Sequence, residues 1–129
     1  MKESILRNKI YYHDTDAGGI VYYARYLEHL EEARSEMLAD RGIVVSEYAR
    51  KGVVFPVVHL EIDYKSPARY GDTIEIRTSV EKIGNASIQF HQNITRDGVT
   101  LIEAKTIWAC VSLSMKPCRV PDEIRKALG

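Results

Sequence analysis

Two hydrophobic periods divide this chain. From Tyr23 onward, Tyr23, Tyr26, Leu27, Leu30, Ala33, Met37 and Leu38 recur at steps of three and four, which sets them in one stripe along a helix. Glu28, Glu31, Glu32, Ser35 and Glu36 largely fill the other face, and Gly42 is a suitable C-terminal stop. The pattern predicts one long amphipathic helix beginning near Val21, preceded by a short alternating run at Ile10 and Tyr12. Ser46 to Arg50 adds a further helical turn or two.

The period then changes to two. Val54, Val58, Leu60, Ile62 and Tyr64 alternate with His59, Glu61, Asp63 and Lys65. Ile74, Ile76 and Val80 alternate with charged and polar neighbours, and Ala86, Ile88, Phe90 and Ile94 follow, with Gln92 the exception on that face. Such alternation describes a sheet with one buried face. Gly84-Asn85 and Asp97-Gly98 accept the positive φ angles of tight antiparallel turns. Between Val99 and Met115 both faces are apolar, so this strand is central or meets a second subunit. Pro121-Asp122-Glu123 opens a short terminal helix. The order of one strand, one long helix and four long antiparallel strands gives an α+β class in which the sheet curls around the helix to hide its stripe.

Bulk properties narrow the function. The 129 residues suit one domain, 1–129, with 45% hydrophobic and 28% charged residues. Lys plus Arg equals Asp plus Glu at 18 each, so no global field recruits nucleic acid. No secretory leader and no apolar run of membrane-spanning length is expected. Cys110 and Cys118 lack metal-ligand spacing and fit reduced thiols in the cytoplasm. His13, His29, His59 and His91 are scattered, with no metal-binding pattern.

The chemistry concentrates in Asp14-Thr15-Asp16-Ala17-Gly18-Gly19, a glycine-hinged acidic turn ahead of the helix. Aspartates are favoured in turns and caps, so a purely structural role is one reading. A calcium loop starting at Asp14 would put Gly19 correctly at the sixth position but Gly18 at a ligand position and Arg25 where a bidentate glutamate is required, which excludes it. The third reading is acyl chemistry, with a carboxylate beside the unpaired N–H groups of a helix start.

The run from Tyr11 to Tyr26, YYHDTDAGGIVYYARY, resembles the signature of the hotdog-fold thioesterases, closest to the 4-hydroxybenzoyl-CoA thioesterase family and its bacterial Tol-Pal-associated branch. Tyr64 to Asp72 matches the family's strand-turn pattern, and Met115-Lys116-Pro117 resembles its closing segment. The resemblance implies a five-stranded antiparallel sheet wrapped around one helix, with subunits joined edge to edge in a homodimer or homotetramer. It implies that Asp16 is the catalytic acid and that the Tyr23 backbone N–H is the oxyanion donor. Many relatives in that branch carry Tyr-His where this chain has Tyr22-Tyr23; a backbone donor survives that change.

An aspartate suffices for this reaction. A thiol of pKa about 8.5 leaves without a strong general acid, and an ionised carboxylate can activate water or attack the thioester carbon. Oxyanion donors contribute about 3 kcal/mol. The expected substrate is an acyl-CoA or an acylated carrier protein, with no metal and no cofactor beyond the coenzyme A of the substrate itself. Candidates for holding its phosphates are Arg69, Lys82, Arg96, Lys116 and Arg119, none singled out by pattern. The rival from another class is a non-catalytic module that binds an acyl carrier or an envelope complex.

Overall fold

The computed structural model describes residues 3–129. β1 (Ser4–Lys9) leads through a single tight turn at Tyr12–Asp14 to the long helix α1 (Arg25–Asp40), and α2 (Val45–Arg50) follows. The remaining elements are β2 (Val53–Val54), β3 (Val57–Tyr64), β4 (Thr73–Ile83), β5 (Ser87–Arg96), β6 (Val99–Ala109), β7 (Val111–Ser112) and α3 (Asp122–Leu128). Five strands form one antiparallel sheet in the order β1-β4-β5-β6-β3, and β2 pairs with β7 in a small second ladder. The result is α+β with the helix laid on the sheet, the hotdog arrangement.

The helix stripe is buried where it meets the sheet. Tyr26, Leu30 and Ala33 pack with Ile74, Ile76, Ile94, Leu101 and Ile102, while Met37 and Leu38 join Phe90, Trp108 and Ile124 in a second cluster. Removing these side chains from water is the main favourable term, about 25 cal/mol per Å² of apolar surface. The chain reverses at both predicted hairpin positions, but neither Gly84 nor Asn85 takes the positive φ expected there; that reversal is closed by the Gly84 N–H donating to the Ser87 carbonyl at 2.8 Å. At Asp97 and Gly98, φ is 51° and 79°, the left-handed pair that matches the sheet twist. Gly42 ends α1 with φ 80°.

Several boundaries differ from the periodic reading. The first strand is Ser4–Lys9, upstream of Ile10 and Tyr12; Ile10 is buried and Tyr12 opens the tight turn. α1 begins at Arg25 rather than near Val21, because the Val21 N–H donates to the Ala68 carbonyl at 2.9 Å and Val21 bridges Thr15. Tyr23 and Leu27 consequently fall outside the buried stripe. Val58 is exposed although its period grouped it with the apolar set; β3 is an edge strand, and its register shifts between Val57 and His59. β6 is internal, between β5 and β3, as its two apolar faces predict, but it ends at Ala109, and Leu113 and Met115, grouped with it by pattern, are exposed beyond β7.

Gln92, the exception to alternation, is the centre of a buried polar network. Its amide Nε2 donates to the Leu30 carbonyl at 2.9 Å and to Thr78 Oγ1 at 3.0 Å, and its Oε1 accepts from Arg34 Nη1 at 3.0 Å. Arg34 is withdrawn from water under the helix, and that burial lowers its pKa to about 10, which still leaves it charged at neutral pH. Gln92→Leu removes the acceptor from a buried guanidinium, so chemical denaturation should show a loss of about 2–3 kcal/mol. Unchanged stability would mean that the network contributes nothing to the helix–sheet contact.

Candidate active site

The acidic turn is folded by its own backbone. The Asp16 N–H donates to the Ile20 carbonyl at 2.9 Å, the Gly19 N–H to the Asp16 carbonyl at 3.1 Å, and the Tyr22 N–H to the Asp14 carbonyl at 3.0 Å. Residues 14–22 thus form a closed hairpin, with Gly19 at φ 77° supplying the bend. A second anchor runs through the Ile20–Arg69 bridge to the segment that follows β3.

Within this hairpin the two aspartates face opposite environments. Asp14 is 1% exposed and Asp16 is exposed within the single chain. Asp16 Oδ1 accepts the Gly18 N–H at 2.8 Å, and a Cβ at residue 18 would sit 3.2 Å from that oxygen, so the turn keeps a glycine beside the carboxylate. Among the described residues Asp16 Oδ2 has no hydrogen-bond partner, and neither has the Tyr23 N–H just ahead of α1. The turn therefore offers a free carboxylate oxygen and, at its far end, a free backbone donor.

Asp14 performs a different task. Its Oδ2 accepts the Tyr11 N–H at 2.8 Å, and its Oδ1 accepts from Arg25 Nε at 2.6 Å. Burial alone would raise its pKa, but Arg25, the Tyr11 N–H and His29 together hold it below the ordinary carboxylate value. Arg25 also pairs with Glu28 in the first turn of α1. One carboxylate thus joins the end of β1, the acidic hairpin and the helix start. His29, also buried, places Nε2 3.4 Å from Asp14 Oδ1, while its Nδ1 is 3.0 Å from Asn8 Nδ2. With the Asn8 amide donating to Nδ1, a neutral ring carries its proton on Nε2, which faces Asp14 across 3.4 Å without a hydrogen bond to it.

Beside the hairpin lies an apolar cavity of about 310 Å³, lined by Ile20, Tyr23, Tyr26, Tyr64, Lys65 and Pro67 among others. Its aromatic walls are fixed at their polar tips. The Tyr64 hydroxyl donates to the Tyr23 carbonyl at 2.9 Å, and Tyr26 Oη accepts the Ala68 N–H at 2.9 Å. Tyr64 therefore pins the same residue whose N–H is free. A larger cleft of about 480 Å³ runs between α1 and β3, walled by Leu27, Leu30, Val57 and Leu60, with Arg34 and Thr106 also lining it.

Of the residues in the candidate segments, the fold brings Tyr23, Tyr26 and Tyr64 together around one cavity, whereas Asp16 is exposed on the hairpin and is not among that cavity's lining residues. The sequence reading missed the Asp14–Arg25–His29 cluster; the i, i+4 spacing of Arg25 and His29 was the available signal. Among the phosphate candidates, Arg96 is committed to Asp72 at 2.7 Å and Arg119 to Asp122 at 3.2 Å. Lys116 lies in the exposed segment after β7, and Lys82 on the exposed end of β4. Arg69 is bridged to the acidic hairpin. Glu28, Glu31 and Glu32 are exposed, as expected for a solvated face.

A family model described as the thioesterase-like superfamily matches residues 11–128. The chain is 38% identical over 118 residues to the acyl-CoA thioester hydrolase YbgC of Escherichia coli O6:H1, covering 90% of this chain and 88% of that protein. A probable thioesterase from Bartonella henselae superposes with a TM-score of 0.88 at 33% identity, over 93% of this chain and 100% of that one. A 1,4-dihydroxy-2-naphthoyl-CoA thioesterase from Synechocystis superposes with a TM-score of 0.92 at 22% identity, covering 98% and 96%, a likeness of fold alone.

The buried cluster sets a pH dependence. Burial first of all lowers the His29 pKa, against the opposing charges of Asp14 and Glu32. As pH falls below the usual imidazole value of about 6.5, the unfolded chain gains this proton more readily than the folded one, so stability declines until the folded pKa is passed. Each unit of depression corresponds to about 1.4 kcal/mol. Asp14, whose folded pKa is lowered, adds a loss in the same direction at still lower pH. Thermal melts from pH 7.5 to 5 should show a falling Tm, and His29→Gln should flatten that fall; parallel curves would contradict the assignment.

Proposed function

The chain belongs to the thioesterase-like superfamily, and from that membership we propose that it is an acyl-CoA thioesterase, releasing free acid and thiol from an acyl-CoA or an acylated carrier protein. The observation that carries this reading is a carboxylate oxygen on the clamped hairpin and a backbone N–H on the residue that follows it, each without a partner among the described residues. A neutral binding surface has no use for a carboxylate held this way.

In the proposed reaction the thioester carbonyl oxygen accepts the Tyr23 N–H, and the acyl group enters the tyrosine-lined cavity. Asp16 acts on the carbonyl carbon as base or nucleophile. As a base it takes a proton from water while the water oxygen bonds to carbon. As a nucleophile it forms an acyl anhydride, which water then opens. In both routes negative charge gathers on the former carbonyl oxygen, where a donor that needs no reorganisation contributes about 3 kcal/mol. The C–S bond breaks and the thiolate leaves, taking up a proton near its pKa of about 8.5. This route uses no metal and no cofactor besides the coenzyme A of the substrate. Tyr64 supports it by holding the Tyr23 main chain.

The exposed edge supports an oligomeric enzyme, and the free thiols fit the cytoplasm. β3 is an exposed edge, with Val57 and Val58 49% and 60% accessible, and such an edge is stabilised by pairing with a second copy. Cys110 and Cys118 are free thiols, and among the described residues no helix is long and apolar enough to cross a membrane.

Asp16→Asn removes the charge while preserving shape, so thiol release from an acyl-CoA panel should fall by at least about 100-fold with unchanged melting. A fully active Asn variant would refute the assignment, and no release by the parent protein from any thioester would favour the binding-module alternative. Label found in Asp16 after a single turnover in ¹⁸O-water identifies the nucleophilic route, with water opening the anhydride at the aspartyl carbon. Light scattering should give at least twice the mass of one chain; a strictly monomeric active species would contradict edge pairing.

A further inference from the structure

The segment after β3 contains a turn whose shape owes nothing to two of its own side chains. Asp72 Oδ2 accepts the Arg69 N–H at 2.8 Å and Arg96 Nη1 at 2.7 Å, and the Asp72 N–H donates to the Arg69 carbonyl at 3.0 Å. The Gly71 N–H donates to the Ile10 carbonyl at 2.9 Å, and the Ile10 N–H to the Asp72 carbonyl at 2.7 Å. These bonds lock the turn against the stretch that leads into the acidic hairpin. The Arg69 guanidinium and the Tyr70 ring take no part in any of them. Among the described residues the guanidinium makes no hydrogen bond and no ion pair.

Several other cations of the chain are already engaged. Arg96 is paired with Asp72, Lys65 with Glu103, Arg25 with Asp14 and Arg7 with Glu75. Beside Arg69, Tyr70 is 62% exposed and meets Tyr12, 77% exposed, edge to face with ring centroids 6.0 Å apart. Tyr70 follows Arg69 directly in the chain, so this turn carries open aromatic faces and one cation without a hydrogen bond or ion pair among the described residues. The turn adjoins the acidic hairpin directly: Arg69 bridges Ile20, and the Ile20 carbonyl accepts the Asp16 N–H.

We infer that Arg69, Tyr70 and Tyr12 form the seat for the nucleotide end of the substrate's coenzyme A, the guanidinium taking phosphate oxygens and the rings stacking on adenine. This rests on the thioesterase reading for its ligand. Guanidinium donors match phosphate geometry in pairs, and an aromatic face accepts a base without demanding a particular one. The Ile20–Arg69 bridge sets this turn directly beside the hairpin that carries Asp16. The rigid backbone of the turn means that little ordering cost attaches to binding.

Two measurements test it. Calorimetry with adenosine 3′,5′-bisphosphate, which carries no thioester, should show binding to the parent protein, weakened about tenfold in Arg69→Gln and in Tyr70→Ala. Kinetics should compare an acyl-CoA with the same acyl group on pantetheine, which lacks nucleotide and phosphates. The preference in KM for the coenzyme A thioester should shrink about tenfold in both variants, whereas a merely structural defect would raise both KM values together. No nucleotide binding by the parent protein, or variants that bind it equally well, would overturn the inference. Nucleotide binding without hydrolysis of any thioester would leave the seat intact and remove the thioesterase reading instead.

Discussion

A carboxylate removed from water has to be matched, because burying an unpaired charge costs several kcal/mol. Asp14 meets that demand with groups from three parts of the chain: the Tyr11 N–H at the end of the first strand, Arg25 in the first turn of α1, and the His29 ring one turn further on. None of these can move far without exposing the mismatch. The hairpin between them, which carries Asp16, inherits its position from this arrangement. The proposed site therefore depends on a residue that touches no substrate.

The sheet supplies the other half of the clamp. Tyr64, at the end of the edge strand, reaches the Tyr23 carbonyl, and the Ala68 and Arg69 backbone bonds the hairpin from below. These segments are themselves placed by β3 pairing with β6 and by the α1 stripe on the sheet, with Gln92 and Arg34 fixing how the helix lies on it. Fold and chemistry are connected through few contacts. The helix start is held from the Asp14 side and from the Tyr64 side, and the free Tyr23 N–H lies between them.

Much of this was legible from residue spacing. The three-four stripe from Tyr26 to Leu38, the alternation of β4 and β5, and the left-handed pair Asp97-Gly98 depend on local periods and local steric rules. The start of α1 was not legible, since Val21 is withdrawn from the helix by Ala68, 47 positions later in the chain. The burial of His29 and Arg34 was hidden for the same reason: their partners Asn8, Asp14, Gln92 and Thr106 come from other elements. The acidic turn stood out because aspartates and glycines cluster there, and within it Asp16 was named by the family resemblance. The division of labour between Asp14 and Asp16 needed the folded arrangement, where one is covered and the other open.

The most direct test of this account is a double-mutant cycle on Asp14 and Arg25, read in turnover of an acyl-CoA and in stability. With Asp14→Asn, Arg25→Gln and the double variant, each single change should lower kcat by about tenfold or more. The double should be no worse than the poorer single, a coupling of at least about 1 kcal/mol, as expected for residues acting through one contact. Losses that simply add, or a kcat indifferent to both changes, would show that the hairpin does not depend on this buried pair.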